Sequence, residues 1–384
     1  MKVLVVFHDS NLFSGATRSM IDLIESWLGG ENPLTVAALF PFNGTASDYT
    51  RKIGVQTYIK KYYNIRIPSN SKRELLENIK AGIKNVLSNA SMKSLSTQLK
   101  GERFDFIYSN TGAIYAGYYL SKELKINHIW HIREFGVLDQ ERKNYDGDGS
   151  FSRKMNESKK IIAISQAIEK HLLEIGVKKS LIDVVYDDVV VKTENCIKTF
   201  DDCKKSFVIL SCGGIQVNKG HLDVIKAAEK LISDGYQVEL KIAGNTNTPY
   251  YKILEEYVES HNLQNSVEFC GFVQNMNALR NKCDIGVVAS YNEAFGRVTI
   301  EGMLSNMLMI GANAGGTPEL IINGKNGFLY TAGDVHELVN CLASVIEKWP
   351  KMKGIIEAGN EFALRFNQGT AAKCIYCILN NIKA

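Results

Sequence analysis

The sequence predicts an α/β protein built from two doubly wound parallel-sheet domains. Three observations lead there. Short apolar runs recur in both halves, each followed by a loop and then an amphipathic stretch, the strand–loop–helix alternation of a parallel sheet. The chain has 384 residues, more than one ordinary domain. Residues 192–206 are polar and patternless, interrupt the alternation, and read as the boundary between the domains. Two such domains joined by a linker are expected to face each other across a cleft.

The elements follow in order. Val3–Phe7 is a continuous apolar run of the kind buried in a parallel sheet. A polar loop with Gly15 leads to a helix over 18–28, ended by Gly29-Gly30, and residues 34–40 are the next strand, completing a βαβ unit. Residues 72–88 have Leu75, Leu76, Ile79, Ile83, Val86 and Leu87 at helical spacing. Residues 104–109 form a strand that turns through Asn110-Thr-Gly112 into a helix over 113–123, and 127–130 form a strand ending on His131-Ile-Arg133-Glu134. Lys160–Ser165 and a short strand over 183–186 close the first half. The second half restarts with a strand at 207–211 and the loop Gly213-Gly-Ile-Gln-Val-Asn-Lys219-Gly220. Further strands are expected at 238–243, 267–269, 284–289, 307–311 and 327–330, with helices between them and a helical tail. The organisation read from this is an N-terminal domain over 1–195, a C-terminal domain over 196–360, and a C-terminal helix over 361–384 that packs back on the N-terminal domain.

Composition narrows the class. With 45% hydrophobic and 22% charged residues the chain is of the soluble globular kind. No apolar run reaches the roughly 18 residues needed to span a bilayer, and the N-terminal run is too short for a signal peptide. All eight cysteines lie at or after Cys196, a poor disulfide framework, so a reducing cytoplasm is the expected compartment. Cys374-Ile-Tyr-Cys377 has no second pair to complete a zinc site. Asp146-Gly-Asp148 has the spacing of a metal-holding pair but no strand before it. No metal and no cofactor is expected. Residues 51–100 hold eleven Lys or Arg against two acids, Glu74 and Glu77, which points to an anionic partner or surface. For the 72–88 helix this leaves two readings: an ordinary docked helix with a solvated charged face, or contact with an anionic membrane face or a lipid-phosphate acceptor. No nucleic-acid recognition motif accompanies the charge.

The chemistry concentrates in residues 289–320. Glu293 and Glu301 flank a Phe295-Gly296 turn that opens a helix, whose free N–H groups and partial positive charge suit a phosphate. Gly315-Gly316 follows, with Thr317 read as the cap of a second helix and Pro318 as its first residue. Lys219, in a glycine-bearing loop ahead of a helix, is a candidate cation for a diphosphate. His131 and Arg133 are placed by a strand end, where ligands of open α/β sheets bind. Neither half carries G-x-G-x-x-G after its first strand, and there is no phosphate loop and no nucleophile elbow, which disfavours nicotinamide enzymes, P-loop enzymes and serine hydrolases.

These residues resemble the retaining glycosyltransferases of family 4, which have the two-Rossmann GT-B fold. The likeness rests on Glu293 and Glu301 as the Glu-x7-Glu pair within Ser290-Tyr-Asn-Glu-Ala-Phe-Gly, on Gly315-Gly-Thr-Pro-Glu-Leu-Ile, and on Lys219-Gly220. Gly15, His131 and Ile164-Ser165 fit the family's N-terminal positions. The resemblance implies that Glu293 holds donor-sugar hydroxyls, Glu301 the ribose, Lys219 and the N–H groups near Gly296 the diphosphate, and that His131 contacts the transferred sugar. It makes Glu293, Lys219 and His131 the catalytic set, and Gly15, Gly214, Asn245, Phe295, Gly296, Arg297, Thr299 and Glu301 the donor-binding set, with Asn110 and Arg133 toward the acceptor. It implies metal-independent transfer from a nucleotide sugar, UDP-sugar favoured, to a glycan or lipid-linked acceptor, in the cytoplasm or on the inner face of the plasma membrane. Two positions depart from the family. Gly214 stands where an arginine is common, which makes Arg297 the candidate for the missing charge, and Tyr186-Asp187-Asp188 replaces Tyr-Asn-Gly. The competing readings are a nucleotide-sugar epimerase or an inverting transferase of the same fold, and a nucleotide-sugar-binding partner subunit with little activity alone.

Overall fold

The structure is a computed structural model that describes residues 1–30, 33–191 and 204–383. Its contacts divide the chain into two units, Met1–Asp188 with Gly369–Ala384, and Val189–Gln368. The boundary expected at 195/196 falls outside the described residues.

In the first unit, strands β1 (Lys2–Val6), β2 (Thr35–Phe40), β3 (Gln56–Ile59), β5 (Phe106–Ser109), β6 (Asn127–Ile132), β8 (Lys160–Ala163) and β9 (Ile182–Val184) form one sheet in the order β3-β2-β1-β5-β6-β8-β9. Every pairing in it is parallel. Parallel strands need crossovers that cover both faces, so these strands are apolar on both sides. Val3 and Val5 join one buried cluster and Leu4 and Val6 the other. Strands β4 (Arg66–Pro68) and β7 (Arg142–Asn144) make a separate antiparallel pair. The helices are α1 (Gly15–Gly29), α2 (Thr45–Lys52), α3 (Glu74–Gln98), α4 (Ala116–Leu124), α5 (Val137–Gln140), α6 (Gly147–Asn156) and α7 (Gln166–Glu174).

The second unit holds β10 (Ser206–Cys212), β11 (Gln237–Ala243), β12 (Val267–Gly271), β13 (Ile285–Val288), β14 (Leu308–Ala312) and β15 (Phe328–Tyr330), all parallel, in the order β12-β11-β10-β13-β14-β15. Its helices are α8 (His221–Ser233), α9 (Pro249–Ser260), α10 (Met276–Arg280), α11 (Arg297–Leu304), α12 (Thr317–Leu320), α13 (Val335–Glu347) and α14 (Lys353–Leu364). In both sheets the chain first grows in one direction, then returns to the middle strand and grows in the other. The place where that order reverses, β1/β5 in one unit and β10/β13 in the other, opens a crevice at the strand carboxyl ends.

The tail divides between the units. Helix α14 stays with the second, whereas α15 (Thr370–Lys383) lies in the first, where Ala372, Ile375 and Leu379 join the cluster of Met20, Ile24 and Trp27. Trp27 Nε1 donates to the Ala372 carbonyl at 3.1 Å, which satisfies the one polar atom of a fully buried indole.

Two expectations need correcting. Thr317 is not a cap: it is the first residue of the four-residue α12, Gly316 precedes it in helical conformation, and the Thr317 hydroxyl is buried without a partner. Of the two readings of the 72–88 helix, the docked one fails for its apolar residues: they are exposed, and α3 docks instead through Met92 and Leu95 further along and through the polar bonds described below.

Candidate active site

The second unit builds its site where β10 and β13 part. The loop after β10 ends in a 3-10 turn, Val217–Lys219, and Gly220 then opens α8. Gly220 has φ +67°, and a Cβ there would lie 2.2 Å from the Ala289 carbonyl, so only glycine lets this loop lie against the one leaving β13. The Tyr291 N–H donates to the Asn218 carbonyl at 2.9 Å and joins the two loops further. His221 fixes the start of the first loop. Its Nε2 donates to the Gly214 carbonyl at 3.2 Å, so the neutral ring accepts at Nδ1 from the Ser211 hydroxyl at 2.9 Å. Burial pushes its pKa down to about 4, which keeps that pattern at neutral pH.

This scaffold brings Lys219 and Glu293 together. Lys219 Nζ donates to Glu293 Oε2 at 2.8 Å, with the two side chains 25% and 19% exposed. Burial alone would raise the Glu293 carboxyl, but the Lys219 charge, with hydrogen bonds from Lys219 and Ser290, outweighs it and holds the pKa below the ordinary value. The backbone of Glu293 is held by the next loop: its carbonyl accepts from the Gly316 N–H at 2.6 Å, and Gly315, at φ +58°, leaves no room for a Cβ against it. Gly296, at φ +103°, then opens α11, so the partial positive charge of that helix start lies three residues past Glu293.

Glu301, one turn into α11, pairs with two arginines. Arg280 at the end of α10 donates to its Oε2, and Arg297 Nε lies 3.8 Å from its Oε1. Arg297 is the cation that the sequence suggests in place of an arginine at Gly214. Arg280 is one that sequence reasoning missed: a lone arginine in a five-residue helix carries no motif. It is buried, donates through Nη1 to Asn277 Oδ1 at 3.1 Å, and keeps Nε without a partner. Cys212, at the end of β10, feels Arg280, Glu301 and Lys219 together, while burial pushes its thiol up to about 11. The other donor-side positions differ in access. Gly214 and Asn245 are exposed, Asn245 accepting from the Asn247 N–H at 3.0 Å. Phe295 is buried with its ring 5.9 Å from that of Phe366, and Thr299 is fully buried beneath the helix start.

The first unit gathers its own cluster at its own order reversal. Gly15 opens α1 after the loop that leaves β1. Asn110, following β5, donates to the Ala16 carbonyl at 2.9 Å and accepts from Arg133 Nε at 2.9 Å. Arg133 also donates to Asp187 and, from Nη2, to His131 Nδ1 at 3.1 Å. His131 Nδ1 therefore accepts, and the neutral ring carries its hydrogen on Nε2, a fully buried atom with no partner and 3.9 Å from Asp187 Oδ1. Burial, with the neighbouring Arg133 charge, holds the His131 pKa well below its ordinary value. Asn110, His131 and Arg133 thus lie in one internal network, to which Tyr108 (hydroxyl 2.8 Å from His131 Nδ1) and Asp187 belong. The departure from Tyr-Asn-Gly at 186–188 is what supplies Asp187. Asp146, the first acid of Asp146-Gly-Asp148, takes hydrogen bonds from Tyr115, Ser150 and Lys154.

Two parallel-sheet units with these strand orders make this a GT-B fold. The comparisons with known proteins agree. Residues 197–362, most of the second unit, match the family model described as glycosyl transferases group 1. The chain is 27% identical over 281 residues to an uncharacterized glycosyltransferase, MJ1178, of Methanocaldococcus jannaschii, covering 70% of this chain and 73% of that protein. It is 28% identical over 143 residues to the capsular polysaccharide biosynthesis glycosyltransferase CapM of Staphylococcus aureus, 37% of this chain and 36% of that one. Among solved structures, HepE of Anabaena in complex with UDP and glucose superposes with a TM-score of 0.77 at 23% identity, over 99% of this chain and all of that one.

Proposed function

We propose that the chain is a retaining glycosyltransferase of family 4. In this reading it moves a sugar from a nucleoside-diphosphate donor, UDP-sugar favoured, to a glycan or lipid-linked acceptor in cell-surface polysaccharide or glycoconjugate synthesis. The observation that carries the reading is the Lys219–Glu293 pair at the β10/β13 reversal, beside the helix start opened by Gly296. A cation, a carboxylate and the positive end of a helix match the three needs of such a donor: a diphosphate to hold, sugar hydroxyls to orient, and negative charge to stabilise as the leaving group departs. The relatives lend support, one being named for capsular polysaccharide biosynthesis and another having been crystallised with UDP and glucose.

In the reaction the donor's diphosphate takes over Lys219, and Glu293 turns from that ammonium to the sugar hydroxyls. The bond from the anomeric carbon to the phosphate oxygen breaks with its electron pair going to the phosphate. The acceptor oxygen bonds to the same face of that carbon, and the acceptor's proton passes to the departing phosphate oxygen. This route needs no carboxylate on the opposite face, where the double-displacement mechanism would place one. Glu301, steered by Arg280 and Arg297, holds the ribose hydroxyls. In this reading Lys219 and the α11 start supply the charge stabilisation, and neither a metal nor another cofactor is needed.

The test is a screen of UDP-, GDP-, ADP- and dTDP-sugars by thermal shift, since a ligand that binds only the folded state stabilises it. Transfer or hydrolysis of the best donor, with and without EDTA, is then followed by NMR of the product anomer. A shift with UDP-sugars and a retained anomer support the reading. An inverted anomer, conversion of the donor to its epimer, binding without any turnover of the chain alone, or activity abolished by EDTA would each overturn the part it addresses.

A further inference from the structure

The first half of α3 is inside out for a helix of a globular domain. Leu75, Leu76, Ile79, Ile83, Val86 and Leu87 are each at least half exposed, Leu75 at 74% and Val86 at 67%. At about 3.6 residues per turn they fall on one continuous arc. The side turned to the protein carries small and polar residues instead, and specific bonds fix it there. Asn85 donates to the Tyr145 hydroxyl and accepts from that of Tyr119, both at 2.9 Å, and the Ser88 hydroxyl accepts from the Tyr63 N–H at 3.0 Å. Rolling the helix to hide its leucines would break these and bury amides without partners, so the apolar arc faces outward by construction. Each such side chain forgoes about 1.5–3 kcal/mol of burial, and a contiguous exposed patch of this kind marks an interaction surface.

Along one edge of the arc runs a basic strip, Arg73, Lys80 and Lys84, and it borders a cavity of about 410 Å³ between α3 and the β4/β7 pair. Arg66, Lys80, Lys84 and Arg142 line that cavity, against a single carboxylate, Glu77. Arg66 is 4% exposed. It pairs with Glu134 through Nη2 at 3.3 Å, yet its Nε and Nη1 are buried without partners. Its guanidinium is turned inward against Gly112, Gly136 and Glu134, so the cations the cavity offers a phosphate are the exposed Lys80, Lys84 and Arg142.

We propose that this face of the first unit docks on an anionic phospholipid membrane, with the apolar arc of α3 lying in the acyl boundary and the cations Lys80, Lys84 and Arg142 at the mouth of the cavity meeting the lipid phosphates. The two halves of the surface have the chemistry of the two layers of a leaflet, in the order a helix lying in the interface plane would meet them. The charge balance of residues 51–100, eleven cations to two acids, complements anionic headgroups. A second copy of the chain is the poorer occupant, because pairing the same face would bring like cations together. No helix among the described residues is long and apolar enough to cross a membrane, so the contact is one of lying on the surface.

The test uses the full chain with vesicles of phosphatidylcholine alone or mixed with phosphatidylglycerol, followed by sedimentation. The chain should bind the anionic vesicles, and salt should weaken the binding. The exposed-residue variants Leu75→Ser/Ile79→Ser/Val86→Ser and Lys80→Glu/Lys84→Glu should each lose about tenfold or more of it with an unchanged melting temperature. Soluble glycerol 3-phosphate should not displace the chain. Binding to neither vesicle, equal binding by wild type and both variants, or displacement by glycerol 3-phosphate would overturn the proposal. So would a dimer in solution that the triple serine variant dissolves. The assay reads no sugar transfer, so its failure and that of the proposed reaction are separate.

Discussion

Lys219 Nζ donates to Glu293 Oε2 at 2.8 Å, an ion pair that ties the loop after β10 to the loop after β13. Each partner holds the other in a site where both are three-quarters or more covered, and the carboxyl stays ionised because of the ammonium. Removing Lys219 therefore does two things. It takes away the cation assigned to the leaving diphosphate, and it leaves Glu293 covered without a counter-charge. Lys219→Met should lower turnover by about a hundredfold or more, and should cost more stability than the double variant with Glu293→Gln predicts from additivity. The coupling in a double-mutant cycle should be about 1–2 kcal/mol. Glu293 has a depressed pKa in the fold, so its contribution is present above the ordinary 4.5 and is lost as pH falls through the lowered value. Near-normal transfer by Lys219→Met would sink the assignment.

Arg280 and Arg297 share Glu301, but unequally. Arg280 is buried and donates to both Glu301 and Asn277, whereas Arg297 is farther from the carboxylate, at 3.8 Å. Arg280→Gln should thus weaken UDP binding by about tenfold or more and destabilise the unit by about 2–4 kcal/mol, since it leaves a carboxylate with its main partner gone. Arg297→Gln should cost less on both counts. Titration calorimetry with UDP and urea unfolding measure the two effects, and an Arg280 variant that binds UDP as well as wild type would show that this pair is structural only.

Much of this was legible in the chain. The strand–loop–helix alternation gave both sheets, because fully buried parallel strands leave continuous apolar runs such as Val3–Phe7 that need no tertiary context to recognise. Glu293, Lys219 and Glu301 stood out because motif spacing and helix-start chemistry are local. What was not legible depends on which way an element is turned. The periodicity of Leu75, Ile79 and Ile83 marks a stripe but does not say whether it faces in or out. That is decided by Asn85 meeting Tyr119 and Tyr145, far away in sequence. Arg280 was invisible for the same reason, its role being created by a side chain 21 positions on. The internal network of His131 and Arg133 likewise needs Asp187, contributed by a distant turn.

The arginine absent at Gly214 can be put back. A Cβ there meets nothing nearer than the Gln216 side chain at 3.7 Å, and its backbone is not in the left-handed region. The bond it makes, to His221, uses only its carbonyl and would survive. Gly214→Arg should therefore leave the melting temperature within about 2 °C of wild type, as an exposed substitution free of strain does. It should tighten UDP binding by about three- to tenfold, the usual worth of one more charge-assisted contact to phosphate at a partly exposed site. Weakened binding with an intact fold would mean that the loop presents this position away from the diphosphate.

Asp188 closes the first unit and carries a pH dependence of defined sign. Its Oδ2 accepts from the Ala371 and Ala372 N–H groups at 3.0 and 3.3 Å, fastening the start of α15. Burial raises its pKa from 3.8 to about 6, with the Asp187 charge adding to the rise and the α15 N–H groups opposing it. A raised value means that the folded state binds the proton more tightly than the unfolded chain. The group's contribution is therefore full below 3.8, declines as pH rises, and is gone above about 6. A shift of this size corresponds to about 2–3 kcal/mol. Asn at this position keeps an oxygen for the two N–H groups but cannot titrate. Urea unfolding of wild type and Asp188→Asn across that range should show the variant gaining on wild type by about 2 kcal/mol as pH rises from the lower value to the upper. A difference that stays constant would show that the carboxyl ionises in the fold as it does in the unfolded chain.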